Sequence, residues 1–456
     1  MALSIVVLAA GQGKRMRSSK PKVLHPIGGV PLLGHVLATA RALGVRQTVV
    51  VIGHGGEQVR NAFAQSPVLW AEQHQQLGTG DAVAAALPLV ADDGGVLVLY
   101  GDVPLIRPET LAPLVAAVEG GAVGLLTTIL DDPHGYGRIV RDDAGKVRAI
   151  VEQRDASEAV LAIGEVNTGI LAAPAASLRR WVAALDNANA QGEYYLTDVI
   201  AMAVAEGVPV VAHNAPDPLE VSGVNDRRQQ ANLERYYQRR QVEALMAQGV
   251  TVLDPARLEV RGTVTAGRDV VIDVDVVLEG QVTLGDGVEI GPFCVVRQAS
   301  FGDHCRVLSH SLIEESRLGN NVQVGPFARL RPGTHLSDGV RVGNFVEVKK
   351  SQVGSGSKIN HLSYVGDAHI GCDVNVGAGT ITCNYDGANK HSTTIGDGAF
   401  IGSNTALIAP VRIGSGATVG AGSTISRDVP DAALALTRAE HRMVANWRRP
   451  GKRDQD

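Results

Sequence analysis

Aromatic side chains are scarce in this chain. Phe, Tyr and Trp together make up 4% of 456 residues. So few rings argue against a core built on them and suit an interior that admits only slim side chains. Cysteine is limited to Cys294, Cys305, Cys372 and Cys383, with no C-x-x-C spacing. That pattern argues against a disulfide framework or a zinc site and suits a reducing compartment. No apolar run is long enough to span a bilayer. The apolar start, Leu3 to Ala10, has no basic segment before it, so it is not read as a signal peptide. Positive charge is not in excess. The net charge of −5 gives no reason to expect a nucleic-acid or membrane partner.

What is abundant is a beat. Ile395, Ile401, Leu407, Ile413, Val419 and Ile425 recur at a hexad spacing, and Gly396, Gly402, Gly414 and Gly420 follow four of them. The residue two places earlier is compact: Thr393, Ala399, Thr405, Val411, Ala417, Ser423. The beat also runs through Val264, Val270, Val276, Val282 and Val288, with a second stripe at Ile272, Leu278, Leu284 and Ile290. A hexapeptide period predicts a parallel β-helix, one short strand and one turn per hexad. Rungs would stack about 4.8 Å apart, with glycine or asparagine at the tight corners.

The first half reads differently. Leu3 to Ala10, Gln47 to Gly53 and Val96 to Tyr100 are strand-like runs, and Pro31 to Gly44 and Thr79 to Val90 read as helices. This alternation predicts a parallel α/β sheet with ligand sites at the carboxyl ends of its strands. From about Asp226 to Gln248 a polar, Arg- and Gln-rich stretch reads as a connecting helix. From about Ala439 the chain is charged and reads as frayed.

Several motifs carry chemistry. Leu8 to Met16 (LAAGQGKRM) ends a strand and is Gly-rich and basic, with Arg17, Lys20 and Lys22 following. It fits neither the dinucleotide fingerprint nor the P-loop. Its backbone N–H groups can cradle phosphate, although spacing alone equally allows a solvated basic loop. Tyr100-Gly101-Asp102 closes another strand with a carboxylate suited to magnesium, or merely begins a turn. Gln73 with Leu77 to Gly80 reads either as a base contact or as a helix start. In the second half the beat pauses between Val376 and Ile395, and the gap holds Cys383 to Lys390. His361, near Arg331, Lys349 and Lys350, reads as a general base or as a solvated histidine.

LAAGxGxRM, Pro21 to Leu24, Gln73 with LGTG, YGD, Gly135 to Arg138, Val151 to Gln153, Asn167 to Gly169 and Gly223 to Asn225 occur in one order. Together they resemble the nucleotide-sugar pyrophosphorylases. With NHLSYVGD (360–367), CNYDG (383–387) and the hexads, the chain to about residue 440 resembles a bacterial bifunctional family. That family couples N-acetylglucosamine-1-phosphate uridylyltransferase to glucosamine-1-phosphate acetyltransferase. The resemblance implies a Rossmann-like nucleotidyltransferase domain over 1–226 and a connecting helix over 227–248. It further implies a left-handed parallel β-helix over 249–438 and a tail over 439–456.

The resemblance also implies roles. Gln73, Gly78 and Thr79 would hold uracil beside the backbone of Leu8, Ala9 and Gly11, next to Tyr100 and Gly101. Asp102 and Asn225 would hold Mg2+. Gly137, Glu152 and Asn167 would hold the acetamido sugar, and Arg15 and Lys22 the phosphates. Lys14 and Asp226 depart from the family pattern, and Asp226 would add charge near the metal. In the second half His361 would deprotonate the amine, with Glu347 orienting it. Arg331, Lys349, Tyr364, Asn375 and Lys390 would bind the sugar phosphate. Ser403 and the Ala378 N–H would stabilise an oxyanion. Asn384, Tyr385, Ala421 and Arg438 would complete the amine and acetyl-CoA sites. A cytoplasmic bacterial homotrimer using UTP and acetyl-CoA is implied. Two rivals stand beside it: a pyrophosphorylase with a merely structural β-helix, and a non-enzymatic scaffold.

Overall fold

The computed structural model describes residues 2–450. The chain divides between Arg240 and Gln241 into two compact units.

In the first unit every residue of the strand Leu3–Leu8 is buried. Leu3, Ile5 and Val7 enter one apolar cluster, and Val6 and Leu8 enter another. A strand covered on both faces favours apolar residues at nearly every position, and only Ser4 interrupts this one. Gln47–Ile52 and Gly95–Tyr100 flank it in parallel, and Leu69–Glu72 extends the sheet in the same sense. Helices Leu32–Ala42 and Thr79–Ala86 lie between these strands in sequence. Along the main path of this nine-stranded sheet the order is Val210–Asn214, Val123–Ile129, Glu165–Pro174, Gly95–Tyr100, Leu3–Leu8, Gln47–Ile52, Leu69–Glu72.

One strand departs from the expected parallel sheet. Glu165–Pro174 runs antiparallel to both Gly95–Tyr100 and Val123–Ile129. The chain reaches it from the hairpin of Arg138–Arg141 and Val147–Val151, with only the short helical turns Gln153–Asp155 and Glu158–Leu161 between. A parallel neighbour requires a long crossover, which is missing here.

The polar stretch after Asn225 is the helix Arg227–Ala247. Asp226 starts it: its Oδ1 accepts from the Gln229 N–H at 2.8 Å, the ordinary work of an N-cap. Leu233 packs with Met16, Ile27, Leu32, Leu105 and Val224, whereas Val242 and Leu245 belong to the core of the second unit.

The second unit is a left-handed parallel β-helix. One column of eleven stacked strands runs from Thr251–Val252 to Leu434–Ala435. A second sheet of sixteen strands begins with Leu258–Ala266 and Val276–Leu284 and forks into two columns above Val295–Phe301. Ile395, Ile401, Leu407, Ile413, Val419 and Ile425 are all buried, as are the compact residues two places before them. Each large inward aliphatic contributes about 2 kcal/mol by leaving water. Val264 is only half-buried.

The beat does not stop at the apparent pause. Thr382, one hexad after Val376, takes the inward position and is buried. Its hydroxyl accepts from Gly366 N–H at 2.8 Å and donates to Gly366 O at 3.1 Å. A hydroxyl so satisfied fits an apolar slot, and its polarity is what hides the hexad in the sequence. The excursion proper therefore follows the strand Ile381–Cys383.

The glycines of the beat also act differently from expectation. Gly396 is not at positive φ. A Cβ there would stand 2.6 Å from the backbone nitrogen of Ser415 in the next rung, so close stacking demands the glycine. The left-handed corners lie elsewhere, and bulky residues fill one column of them. Phe293, His310, Phe327 and Phe345 have φ of 60°, 60°, 55° and 56°. Their rings stack at centroid distances of 4.8, 4.7 and 5.3 Å, which offsets the strain of that conformation. Leu362, φ 47°, continues the column directly after His361.

Two candidate active sites

The first site lies at the carboxyl ends of Leu3–Leu8 and Gly95–Tyr100. A cavity of about 300 Å³ is lined there by Leu8, Ala9, Gly11, Lys22, Gln73, Gly78, Thr79, Tyr100 and Asp102, among others. Gly101 N–H donates to Leu8 O at 2.9 Å, which ties the two strand ends together. The Gln73 amide is fixed by bonds to Gly78 O (3.0 Å) and Asp81 Oδ2 (2.8 Å). Thr79 Oγ1 accepts from Leu196 N–H at 3.1 Å. The Lys22 ammonium donates to Asp102 Oδ2 and to Asn225 Oδ1, the latter at 3.2 Å. Two oxygens from distant parts of the chain thus converge on one cation. That hard-oxygen geometry fits Mg2+, which takes few protein ligands and fills its shell with water and phosphate. Among the described residues no cluster of three or more His, Cys, Asp or Glu side chains offers a denser metal site.

Beside this cavity a second group assembles. Asn167 N–H donates to Gly137 O at 2.8 Å, and Glu152 Oε1 accepts from Thr197 Oγ1 at 3.3 Å. A Cβ on Gly137 would lie 3.2 Å from Glu152 Oε1, so the residue must be slim. Burial pushes the Glu152 carboxyl above its usual range, although the Thr197 bond opposes this. Gly169, at φ +85°, would place a Cβ 2.6 Å from the Tyr100 ring. The Asn167 to Gly169 turn therefore closes onto Tyr100 only because residue 169 lacks a side chain. Burial, with Asp102 and Glu152 nearby, pushes the Tyr100 hydroxyl far up. Arg15 stands apart, exposed on the turn Lys14–Met16, and does not line the cavity. Lys14 is exposed on the same turn.

In the second unit one corner of the coil gathers five of the expected residues into a column. Gly379 N–H donates to His361 O (3.4 Å), Asn404 N–H to Ala378 O (2.7 Å) and Gly422 N–H to Ser403 O (2.8 Å). Arg438 closes the column, its Nε donating to Ala421 O at 3.2 Å. With about 4.8 Å per rung, His361 and Ala421 are separated by roughly 15 Å. The strip thus suits an extended ligand. On the adjoining face Glu347 pairs with Tyr364, and Lys349 with Gly366, in the strand register. A Cβ at Gly366 would collide with the Tyr364 hydroxyl. Lys390 beside Lys349, and Arg331 nearby, push the Lys349 ammonium below its ordinary range. Cations crowded in this way attract an anion. Asn375 lies on the other strand column, paired with Lys358 and Phe400. Asn384 is buried, its amide bonded to Asp367 Oδ2 at 2.5 Å. Tyr385 is exposed at the start of a loop held by Asp386, which accepts from Ala388 N–H (2.8 Å), Asn389 N–H (2.7 Å) and His391 (2.7 Å).

Three family models match these units. Residues 5–201 match the MobA-like NTP transferase domain, 260–353 the GMPPB C-terminal domain and 392–427 the bacterial transferase hexapeptide of six repeats. The chain is 60% identical over 452 residues to the bifunctional protein GlmU of Alkalilimnicola ehrlichii, covering 99% of this chain and 97% of that one. It is 57% identical over 450 residues to that of Marinobacter nauticus, with 99% of each chain covered. For Ralstonia nicotianae GlmU the identity is 55% over 454 residues, with 100% of each covered. The chain belongs to the GlmU family.

In this member of the GlmU family two expectations change. Glu347 does not hold His361: its Oε1 accepts from Arg331 at 2.8 Å. The ring partner is Asn344, whose Oδ1 lies 2.9 Å from His361 Nδ1. An amide oxygen can only accept, so Nδ1 donates in this pair, and the neutral ring held this way presents its lone pair at Nε2. Asn344 is the residue one rung below His361 in the strand register. The coil period would have pointed to it, had the rung spacing been applied to polar positions. Asp226 caps a helix rather than joining Asn225 at the cation. Gln76 was also missed. It lines the nucleotide cavity and donates to Ala10 O at 3.1 Å, yet only its place in the turn after Gln73 hints at this.

Replacing Asn344 by alanine is expected to lower kcat of acetyl transfer by about tenfold with KM little changed, since the ring loses its tautomer lock. Asn344→Asp, which keeps the acceptor, should recover most of the rate. A change confined to KM would place Asn344 in substrate binding instead.

Proposed function

We infer that this chain is a two-step transferase that makes UDP-N-acetylglucosamine. It acetylates glucosamine 1-phosphate with acetyl-CoA, then transfers uridylyl from UTP to N-acetylglucosamine 1-phosphate in a Mg2+-dependent reaction that releases pyrophosphate. The observation that carries the reading is that each unit holds its own polar constellation. Lys22, Asp102 and Asn225 converge in one, and the His361 column stands beside clustered cations in the other.

For uridylyl transfer, residues 1–226 supply the site. Gln73, Gly78 and Thr79 hold the base against Leu8, Ala9 and Gly11, with Tyr100 and Gly101 forming the floor. Gly137, Glu152 and Asn167 hold the acetamido sugar. The sugar phosphate oxygen is already anionic, so it attacks the α-phosphorus without a general base, and the bond to pyrophosphate breaks. Catalysis is positioning and charge neutralisation. Asp102 and Asn225 would hold Mg2+, which supplies positive charge against the triphosphate. Lys22 then turns from Asp102 to phosphate oxygens, with Arg15 as the second cation for them.

For acetyl transfer, residues 249–438 supply the site, and the helix over 227–248 connects the two. Arg331, Lys349, Tyr364, Asn375 and Lys390 hold glucosamine 1-phosphate. His361 Nε2 takes a proton from the amine as its nitrogen attacks the thioester carbon. The Ala378 N–H and Ser403 stabilise the oxyanion, the C–S bond breaks, and coenzyme A leaves. Asn384, Tyr385, Ala421 and Arg438 position the amine and the acetyl-CoA. The working form is a homotrimer in the bacterial cytoplasm. No described helix is long and apolar enough to cross a membrane.

Thermal unfolding tests the two-site reading. UTP with Mg2+, and separately acetyl-CoA, should each raise a melting transition, by about 2.7 kcal/mol of stabilisation at a hundredfold excess over Kd. A response to UTP alone would favour the pyrophosphorylase with a structural coil, and no response to either would favour a scaffold. Sedimentation at three times the chain mass is expected, and a monomer would count against the trimer.

A further inference from the structure

A second cavity, of about 530 Å³, opens beside the nucleotide pocket, lined by Gln12, Ile52, Gly53, His54 and Glu72 among others. Gln73 and Gln76 line both cavities. Gln73 is committed to Gly78 and Asp81, as described. Gln76 is held from a different side, by the loop after the first strand. Its Nε2 donates to Ala10 O at 3.1 Å, and its Oε1 accepts from Gln12 Nε2 at 2.5 Å. Both partners sit on the glycine-rich segment that follows the first strand. Gly53 makes room for this arrangement: a Cβ there would lie 3.1 Å from Ala10 O and 3.2 Å from Gln76 Nε2. One flexible side chain, exposed to solvent, therefore stands in the wall between two spaces.

We propose that Gln76 sets the size of base that the nucleotide pocket accepts. Clamped between Gln12 and the Ala10 carbonyl, its carboxamide walls a pyrimidine-sized pocket off from a neighbouring cavity that has room for the second ring of a purine. This rests on the reading of the 300 Å³ cavity as the nucleotide site. Selection is by exclusion. The pocket need not contact the extra ring of a purine, because the carboxamide occupies the way into the space that ring would need. The wall is held by hydrogen bonds to the same loop that cradles the nucleotide. A misfitting base could displace it only by breaking both bonds.

The test is uridylyl transfer against transfer from ATP and GTP, each with Mg2+ and N-acetylglucosamine 1-phosphate, in the full-length protein. In Gln76→Ala the ratio of kcat/KM for UTP to that for GTP should fall about tenfold or more, with the purine value rising. Gly53→Ala, which crowds the carboxamide off the Ala10 carbonyl, should shift the ratio in the same direction. Acetyl transfer in the same preparations reports that the chain is folded. An unchanged ratio in Gln76→Ala overturns the proposal, and so does a uniform loss for all three nucleotides. A wild type that takes no nucleotide, or a Gln73→Ala variant with unaltered KM for UTP, would instead remove the nucleotide reading beneath it.

Discussion

His361→Ala is expected to cripple acetyl transfer and to leave uridylyl transfer intact. The expected loss is about 10²–10⁴-fold, the usual worth of a positioned general base. The ring is exposed at a corner of the coil, and Asn344 fixes the proton on Nδ1. Its free Nε2 is the group placed to accept the amine proton. Loss of the imidazole leaves the coil unharmed, because the rung is held by backbone bonds and by the buried Ile359 and Ser363 on either side. Free-thiol release from acetyl-CoA reads the first activity and pyrophosphate release the second. If both fall together, the defect is in folding. If acetyl transfer persists within a few-fold of wild type, the base lies elsewhere in the column.

Asp102→Asn has the opposite signature. Uridylyl transfer should fall by about 10²–10³-fold, and acetyl transfer should not change. The substitution keeps the shape of the side chain and the Asp102 backbone bond to Val224 N–H at 2.9 Å. What it removes is the negative charge that meets the Lys22 ammonium and would meet Mg2+. With only neutral oxygens at that point, the metal is held chiefly by substrate phosphates, and the Mg2+ concentration for half-maximal rate should rise. A variant that keeps wild-type rate at low Mg2+ would remove Asp102 from the metal site. Because the two substitutions sit in separate units, a double variant should lose each activity by the same factor as its single parent.

The two halves were unequally legible. The hexad beat reports a repeated physical demand, a slim apolar side chain at the inward position of every rung, and such a demand writes itself into spacing. The strand runs from Leu3, Gln47 and Gly95 are legible for the same reason: burial on both faces leaves few polar positions, Ser4 and Thr48 among them. Where polar atoms satisfy one another inside the fold, that signal fails. Thr382 fills a core slot yet reads as a break, because its hydroxyl is answered by Gly366 from the rung below. The antiparallel course of Glu165–Pro174 follows from chain connectivity, which leaves no mark on hydrophobic period. The corner column of Phe293, His310, Phe327 and Phe345 defies the glycine rule because rings stacked across rungs repay a strain that each residue alone would not bear.

By itself, then, the sequence determined the solenoid, the α/β unit before it and the residue types available for each chemistry, since these depend on local period and on motif spacing. Only the tertiary structure decided which of those residues meet. Lys22 finds Asp102 and Asn225 across long stretches of chain, Asn344 rather than Glu347 faces His361, and Gln76 bridges Gln12 and Ala10. Hydrogen bonds of this kind act over about 3 Å in space and are indifferent to separation along the chain, so no periodicity can announce them.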